Sequence, residues 1–239
     1  MGSIRDDRGY NQGFKPSKAL QFRTERRSDY IISKTDLSKS ADILEIGCGT
    51  GELAYLIASK TKHNVVAIDL CLPFIEEARR KYRLPNLRFE AMDFTSSSSI
   101  DSVIKGRKFD YVVGNGILHH VYYKIDDALG KISRLLKDGG AIVFLEPNII
   151  NPYCFFIFKF PFFRKLANLE PAEMAFTRRF VIGALRNAGF VNVKIEFKDF
   201  LLPITPEPLI SLFITLSGIF EKIPIINKLA QSIYIYASK

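Results

Sequence analysis

The sequence predicts an α/β fold: a single doubly wound sheet, mostly parallel, with helices on both faces. Strand-like and helix-like segments alternate from residue 42 to about 146, and a glycine-rich loop joins the first strand to the helix after it. Two further strand-like segments follow near the end of the chain. Alternation of strands and helices is typical of a parallel sheet, because each crossover between parallel strands carries a helix.

The elements can be followed in chain order. The segment FRTERRSDYIIS is expected to form a helix that lies over the domain. Helical spacing predicts helices near residues 51–61, 73–83, 97–105 and 123–137. Apolar runs between them predict the strands DILEIG, NVVAID, LRFEAM, FDYVVG and AIVFLE. The segment FTRRFVIGALRNAGF (176–190) then predicts a helix, and VNVKIEF and SIYIYAS predict the last two strands.

Length and composition favour one domain, because 239 residues, 47% of them hydrophobic, can bury a full core. We divide it into an N-terminal helical cover (1–40), a cofactor-binding core (41–148), and two apolar segments called the first insertion (149–176) and the second insertion (200–230). Cys48, Cys71 and Cys154 have neither disulfide nor metal-ligand spacing, so no metal is expected. The first ten residues carry no apolar signal segment, which favours the cytoplasm.

The net charge of +9 and pI of 9.4 would suit nucleic acid, an anionic membrane surface or an acidic substrate. The net charge alone does not distinguish between these three kinds of partner. No stretch reaches the ~18 uninterrupted apolar residues of a spanning helix. The longest candidates are CFFIFKFPFF, which Lys159 and Pro161 interrupt, and PLISLFITLSGIF. A membrane-spanning chain is therefore not predicted.

The loop GCGTG after the first strand indicates a ligand site. In an open α/β sheet, ligands bind beyond the carboxyl ends of the strands, at the point where the strand order reverses. Gly47, Gly49 and Gly51 allow a tight bend and a close approach to the backbone. A dinucleotide fingerprint needs glycine where Glu52 stands, and no Lys-Ser/Thr pair follows for a Walker loop. The loop therefore favours a ligand with a nucleoside and without a diphosphate.

Five ordered motifs carry a resemblance to a known family. ILEIGCGTGELA, VVAIDLC, FEAMDF, FDYVVGNGILHHV and LLKDGGAIVFLEPN are together similar to the class I S-adenosylmethionine-dependent methyltransferases of the broad type 11 group, over about residues 40–148. The resemblance implies a Rossmann-like sheet, to which the seven strand-like segments correspond, with the C-terminal strand antiparallel. It also implies S-adenosyl-L-methionine as the cofactor and S-adenosyl-L-homocysteine as its product.

The resemblance further implies roles for single residues. Asp69 would accept hydrogen bonds from both ribose hydroxyls, and Asp93 would accept from the adenine amino group unless it only caps a helix. Glu45 could hold the ammonium group of the cofactor, or only orient the loop. The backbone of Gly114 and Asn115 would line the methyl-transfer side. The expected cofactor contacts are Glu45, Gly47, Gly49, Gly51, Asp69, Leu70, Met92, Asp93, Phe94 and Asn115.

Two adjacent histidines are the candidates for catalysis. Methyl transfer from a sulfonium is an in-line displacement, so the protein chiefly aligns the nucleophile and excludes water. A base helps when the acceptor is a hydroxyl or a protonated amine, and histidine can serve as one. His119 and His120 follow the fourth strand, and at most one of them can face the acceptor. The alternative is a histidine that structures the loop. His63, at the opposite edge, is expected to face solvent.

Both insertions follow strands whose carboxyl ends face the cofactor site, so they are expected to cover the acceptor pocket. Their apolar side chains must form a lid, line an apolar pocket, form a subunit interface or contact a membrane. A basic rim supports contact with anionic lipid, and a solvated rim is the alternative. The rim comprises Lys159, Arg164, Lys165, Arg178 and Arg179. The apolar side chains are Phe155, Phe156, Phe158, Phe160, Phe162, Phe163, Leu209, Leu212, Phe213, Ile214, Leu216, Ile219 and Phe220.

The sequence thus predicts a methyltransferase that modifies an oxygen or nitrogen of a small, apolar or lipid-linked acceptor. Peripheral contact with an anionic inner membrane surface is part of this hypothesis. An RNA methyltransferase is the alternative, favoured by the basic segments FRTERR and RRKYR. Against nucleic acid, GNGI stands where an NPPY-like motif would follow the fourth strand. A nicotinamide dehydrogenase conflicts with Glu52, and a non-catalytic binding protein on the same fold stays open, as do the acceptor and the oligomeric state.

Overall fold

The computed structural model describes residues 17–239. Its strands are β1 (Asp42–Ile46), β2 (Asn64–Asp69), β3 (Leu87–Ala91), β4 (Phe109–Asn115), β5 (Leu136–Pro147), β6 (Val191–Lys198) and β7 (Ser232–Ser238). They form one seven-stranded sheet in the order β3-β2-β1-β4-β5-β7-β6. The first five strands pair in parallel, and β7 is antiparallel to both of its neighbours, β5 and β6.

Helices cover both faces of this sheet. They are α1 (Lys18–Ser33), α2 (Glu52–Lys60), α3 (Leu72–Lys81), α4 (Ser97–Ile104), α5 (Ile125–Leu135), α6 (Pro152–Lys159), α7 (Pro161–Leu166), α8 (Arg178–Asn187) and α9 (Ile210–Phe220). Short 3-10 helices span Leu118–Lys124, Glu207–Leu209 and Ile226–Leu229. Within residues 17–239, no helix has the length and apolar character needed to cross a membrane.

The core consists of two apolar layers, one on each face of the sheet. Ile43 packs into the layer under α2 and α3, and its neighbour Leu44 packs into the layer under α5 and α8. Strands that are buried on both faces read as continuous apolar runs rather than as an alternating pattern. This is why the central strands stand out in the sequence.

The strand order reverses at β1, which lies between β2 and β4. Ile46, the last residue of β1, is aligned with Ile68 on one side and with Gly114 on the other. The carboxyl ends of these three strands therefore lie side by side. Open α/β sheets bind their ligands at a crevice of this kind.

The two insertions emerge at this same edge, because the first follows β5 and the second follows β6. The side-chain amide of Asn148 donates to the carbonyl oxygens of Lys228 (2.9 Å) and Ala230 (2.8 Å). That of Asn151 donates to the carbonyl oxygen of Leu229 (2.6 Å). The start of the first insertion is thus tied to the end of the second.

The predicted α/β fold, its mostly parallel seven-stranded sheet and its antiparallel C-terminal strand are confirmed. One helix boundary differs from the prediction, since β5 already begins at Leu136, which pairs with Phe109 ahead of an irregularity in the ladder. The expectation that His63 faces solvent is wrong. Its side chain is buried, with its ring nitrogens 3.1 Å from the main-chain N–H of Ala41 and 2.9 Å from the hydroxyl of Thr35.

Other sequence predictions have a different status. The observation on the first ten residues concerns a segment outside the described residues. The division of the chain into cover, core and insertions stays a prediction. The three cysteines are buried, and none of them forms a disulfide within the described residues.

Candidate functional site

The glycine turn between β1 and α2 uses its glycines for two purposes. Their φ angles are all positive, at 71° for Gly47, 52° for Gly49 and 87° for Gly51. A Cβ at Gly51 would lie 2.6 Å from the ring of Phe89, and one at Gly47 would lie 2.7 Å from Ile117, so packing requires both glycines. A Cβ at Gly49 would meet no atom within 4 Å. The middle glycine therefore borders open space, as the approach of a ligand to the backbone requires.

Asp69 points at the glycine turn from the end of β2. Its Oδ2 accepts a hydrogen bond from the main-chain N–H of Gly49, and its Oδ1 accepts one from that of Cys71, both at 2.8 Å. Burial raises the pKa of this carboxyl, although the two backbone donors oppose the shift. Each carboxylate oxygen keeps a further lone pair, so Asp69 can hold the turn and still accept from a ribose hydroxyl.

Glu45 brings a carboxyl group into the core below the turn. Its side chain is 1% exposed, and its Oε2 has no hydrogen-bond partner. Burial, with a further contribution from Asp69, raises its pKa to about 8. A buried polar atom without a partner is uncommon and calls for an explanation. An ammonium group would supply the missing donor and the opposite charge, so this residue fits the methionine end of the cofactor.

The predicted adenine contacts differ in accessibility. Oδ1 of Asp93 accepts from the main-chain N–H (2.8 Å) and the hydroxyl (2.6 Å) of Thr95 in a local turn, whereas the N-cap of α4 is Ser96 and not Asp93. Met92 and Phe94 are buried in the core layer under α5. Leu70 is 50% exposed beside Asp69. Of the predicted apolar contacts, Leu70 is thus the one with a surface open to a base.

The end of β4 is joined to α1 through an arginine that the sequence analysis did not single out. Nη1 of Arg27 donates to Oδ1 of Asn115 at 2.7 Å, and its Nη2 donates to Oδ2 of Asp199 at 2.7 Å and to the hydroxyl of Ser232 at 2.9 Å. The side chain of Asn115 is therefore engaged with α1. Its backbone remains at the edge where the sulfonium would lie.

Asp199 is the centre of a buried charge cluster. It has a positive φ of 75° and accepts from the hydroxyl of Tyr234 at 3.1 Å. Burial alone would raise its pKa, but Arg27 and Arg23 outweigh this effect and hold the pKa well below its ordinary value. Burial lowers the pKa of the Arg23 guanidinium to about 10. The cluster anchors the start of the second insertion to α1.

His119 is held by a buried carboxylate from β5. Oε1 of Glu146 accepts from the main-chain N–H groups of Ile117 (3.0 Å) and Leu118 (2.8 Å), and Nδ1 of His119 lies 2.9 Å from Oε2. A carboxylate only accepts, so in a neutral imidazole this contact would place the proton on Nδ1 and leave a lone pair on Nε2. The arrangement structures the loop and fixes the orientation of the His119 ring, and the role of this ring as a base stays a prediction.

His120 has its own buried partner, from the first insertion. Its Nδ1 lies 3.1 Å from Oε1 of Glu173, a fully buried residue whose Oε2 has no partner. The rings of His119 and His120 lie 4.2 Å apart between centroids. One ligand atom from each of these three residues lies within 4.8 Å of the others, a spacing that a cation could bridge. The first insertion therefore contacts the histidine pair directly.

The structure brings the sequence-predicted residues of β1, β2 and β4 together at one edge. Glu146, Glu173, Arg27 and Asp199 were missed. A carboxylate inside the apolar strand AIVFLE was a signal for Glu146, since an unpaired charge is costly in a core. The pairing of Arg27 with Asp199 left no local signal, because 172 residues separate them.

Comparison with known families supports this geometry. A family model described as a methyltransferase domain matches residues 43–140, from β1 into β5. The ubiquinone/menaquinone biosynthesis C-methyltransferase UbiE of Desulfotalea psychrophila is 26% identical over 198 residues, which are 74% of this chain and 76% of that protein. The malonyl-[acyl-carrier protein] O-methyltransferase of Acetivibrio thermocellus is 28% identical over 123 residues, 50% of this chain and 41% of that protein.

A solved structure extends the likeness to nearly the whole chain. The SAM-dependent methyltransferase from Archaeoglobus fulgidus superposes with a TM-score of 0.65 at 19% identity, covering 96% of this chain and 98% of that one. At this identity the superposition shows the fold. Taken together, the matched family model, the relatives and this fold support a class I S-adenosylmethionine-dependent methyltransferase, an enzyme whose cofactor is S-adenosyl-L-methionine.

Proposed function

We propose that this methyltransferase modifies a small acceptor that is itself apolar or carries a lipid chain. The observation that carries the proposal is the contact between the apolar first insertion and the histidine pair. The main-chain N–H of Met174 donates to the carbonyl oxygen of His119 at 3.2 Å. The ring of Phe158 packs edge-on against that of His119, 6.0 Å away between centroids. An apolar wall beside the candidate base favours an apolar acceptor.

The proposal specifies the chemistry of the acceptor atom and not whether this atom is oxygen, nitrogen or carbon. The sequence analysis expects oxygen or nitrogen, and the names of the two relatives describe a C-methyltransferase and an O-methyltransferase. What a hydroxyl, a protonated amine and an acidic carbon share is a proton that must leave when the new bond forms. The proposal is therefore an acceptor that loses a proton during methylation.

The donor side is assigned to residues of the sheet edge. The bound cofactor supplies an electrophilic methyl group on a sulfonium. Asp69 accepts hydrogen bonds from the ribose, and Glu45 receives the ammonium group at its unpaired oxygen. Gly49 leaves its backbone open to the ligand. These contacts align the methyl group, and alignment of two reactants is a large part of the catalysis of an in-line displacement.

His119 acts as the base in this proposal. The cofactor would supply the methyl group and keep the electrons of the broken carbon–sulfur bond, and Nε2 of His119 would take the proton that the acceptor loses. Glu146 keeps Nδ1 protonated and stabilises the resulting imidazolium, as a buried carboxylate partner does in other histidine sites. His120 is paired with Glu173 at the wall of the acceptor site.

Part of the basic sequence that favoured the RNA methyltransferase alternative is engaged within the protein. Two cations of the segment RRKYR are paired, Arg79 with Glu90 and Lys81 with Glu52. In the segment FRTERR, Arg23, Arg26 and Arg27 pair with Asp199. Basic residues that are engaged within the protein cannot release counterions from a phosphate backbone. We therefore do not favour RNA as the acceptor.

Calorimetry with S-adenosyl-L-methionine tests the donor side. The wild-type chain should bind it, and Asp69→Ala should lower the affinity by about 30- to 100-fold, equivalent to ~2–3 kcal/mol for lost hydrogen bonds to a charged group. Asp101→Ala, on the exposed face of α4, is the matched control and should bind like wild type. Absence of binding by folded wild-type protein would contradict the proposal.

The acceptor side is tested by formation of S-adenosyl-L-homocysteine. Phenols, amines and activated methylene compounds should be offered with and without a long alkyl chain, alongside unmodified RNA. We expect turnover with the alkylated compounds to exceed that with their short-chain counterparts. Preferred methylation of RNA, or of the short polar compounds, would overturn the proposed acceptor class.

A further inference from the structure

The exposed apolar surface of this chain is concentrated in the two insertions. Of 22 large apolar side chains that are exposed among residues 17–239, 16 lie there, 7 in the first insertion and 9 in the second. Single exposed apolar residues are ordinary on a protein surface, whereas a contiguous group marks an interaction site. The surface that surrounds the rest of the sheet does not share this excess.

In the first insertion the exposed rings form one cluster, which we call the phenylalanine ridge. Phe156 stacks on Phe160 with 5.5 Å between ring centroids, and Phe163 lies 6.0 Å from Phe156. Phe162 lies 5.3 Å from Phe163, and Phe155 lies 5.9 Å from Phe156. Their exposed fractions range from 38% at Phe163 to 73% at Phe162. Five adjacent rings are thus exposed together.

Contacts within the first insertion keep the phenylalanine ridge at the surface. The guanidinium of Arg164 donates to the carbonyl oxygens of Phe158 (2.9 Å), Glu173 (3.0 Å) and Glu170 (2.5 Å). Cys154 and Phe158 are buried on the inner side of α6. Turning the ridge inward would break these contacts. Arg164 is therefore a structural residue and not a free cation of the predicted basic rim.

The exposed charges of the insertions that have no ion-pair partner among the described residues are all positive. Lys159, Lys165, Lys222 and Lys228 are exposed, and none has a carboxylate within 4.0 Å among the described residues. The one exposed carboxylate of these segments, Glu207, is paired with Lys18. Lysines at the border of an apolar patch can extend to lipid phosphates while the apolar side chains enter the headgroup region.

The second insertion adds further exposed apolar side chains. It meets the first where Asn151 donates to the carbonyl oxygen of Leu229. Exposed isoleucines lie between its two exposed lysines and beside them: Ile219 (50%), Ile223 (37%), Ile225 (74%) and Ile226 (36%). Both insertions also border the crevice at the carboxyl ends of the strands. If this surface contacts a bilayer, the site of methyl transfer faces the bilayer.

We propose that the phenylalanine ridge and the isoleucines of the second insertion dock on an anionic phospholipid bilayer, with the four lysines on its phosphates. The proposal rests on the proposed function, to which it adds the surface from which a lipid-linked acceptor enters. Charge favours this occupant over a second copy of the chain. In a twofold-symmetric dimer the same patch meets itself, so the lysines would face lysines.

Vesicle flotation with the full chain tests the docking surface. We expect binding to phosphatidylcholine vesicles that contain phosphatidylglycerol, weaker binding to phosphatidylcholine alone, and weakening by salt. Lys165→Ala and Lys228→Ala should each reduce the partition coefficient about fivefold. The double variant Phe162→Ser/Phe163→Ser should reduce it about tenfold or more. The matched controls are Lys62→Ala, on the opposite edge, and Leu37→Ser, 62% exposed outside the insertions; both should bind like wild type.

The binding of the variants and of the controls decides whether this surface docks on a bilayer. Equal binding by the lysine variants and wild type, or an equal loss in the controls, would overturn the docking surface. So would a dimer in sedimentation that Phe162→Ser/Phe163→Ser dissociates, without any vesicle binding. Calorimetry with S-adenosyl-L-methionine, run in parallel, separates the two proposals: cofactor binding without vesicle binding removes only the docking surface, and the converse removes only the proposed function.

Discussion

The proposed donor half and the proposed acceptor half of this site are built from different kinds of structure. The donor half is made by strand ends and a glycine turn, and Asp69 accepts hydrogen bonds at 2.8 Å from the main-chain N–H groups of Gly49 in the turn and of Cys71 after β2. The acceptor half is made by short helices that project beyond the sheet, and much of their apolar surface is exposed. A common cofactor needs one rigid geometry, whereas acceptors differ, and elements outside the sheet can change without disturbing its hydrogen bonds.

The two halves meet at buried carboxylates. Glu146, at the end of β5, binds the loop that carries His119, and Glu173 of the first insertion binds His120. Asp199, at the start of the second insertion, is linked through Arg27 to Asn115 at the end of β4. Charged side chains thus join the strand ends to both insertions.

The largest effect should come from the histidine at this junction. If His119 is the base, His119→Asn should lower kcat by about 10²- to 10⁴-fold, since that is the usual contribution of a positioned base. Cofactor affinity should be unchanged, because the donor half does not depend on this ring. Rates across a pH series and calorimetry provide the measurements.

Glu146→Gln separates a positioning role from a purely structural one. With the orienting carboxylate lost, kcat should fall while KM changes little. The pH at which the rate depends on a basic group should also shift. A variant with wild-type kcat would show that Glu146 only holds the loop. Parallel thermal unfolding identifies a variant that has lost its fold.

Glu45→Gln should have the next largest effect, and its sign depends on pH. The pKa of Glu45 is raised to about 8 by burial. Between the unfolded value of about 4.3 and this folded value, the native state keeps a proton that the unfolded state releases, so the carboxyl destabilises the cofactor-free fold as pH rises. The variant should therefore gain stability relative to wild type from pH 5 to 8, on the order of 3 kcal/mol.

The same variant should bind S-adenosyl-L-methionine more weakly, because a neutral amide cannot balance an ammonium charge. Urea unfolding at the two pH values, with and without cofactor, gives both quantities. Equal stability of variant and wild type at both pH values would show that Glu45 is not an unpartnered carboxyl in solution.

The smallest effects compare two glycines of the same turn. Gly51→Ala combines a φ of 87° with a Cβ 2.6 Å from Phe89, so it should lower the free energy of unfolding by ~2–3 kcal/mol. Gly49→Ala adds no close contact and should lower it by only ~1 kcal/mol, while weakening cofactor binding. Denaturant unfolding and calorimetry check the pair. Equal losses of stability would contradict the separate purposes assigned to the two glycines.

The sequence predicted the donor half well because its determinants are local. Apolar runs marked every strand of the sheet, and helical spacing marked the helices between them. Asp69 was recognisable because it ends a strand 22 residues after Gly47. The acceptor half was predicted in outline only. The apolar insertions were visible as composition, but the internal role of Arg164 was not, since its partners are backbone carbonyl oxygens that carry no residue identity.

By itself, the sequence determined the α/β fold, because short-range patterns of apolar residues and glycines specify strands, turns and the order in which they occur. The family and the cofactor followed from the resemblance that its five motifs carry. Only the tertiary structure decided which charges are paired. Arg27 and Asp199 are 172 residues apart, and His119 and Glu146 are 27 apart in separate elements. Charged side chains pair when they lie close together in space. Residues that are far apart in the sequence come that close only after the apolar core has brought the strands together.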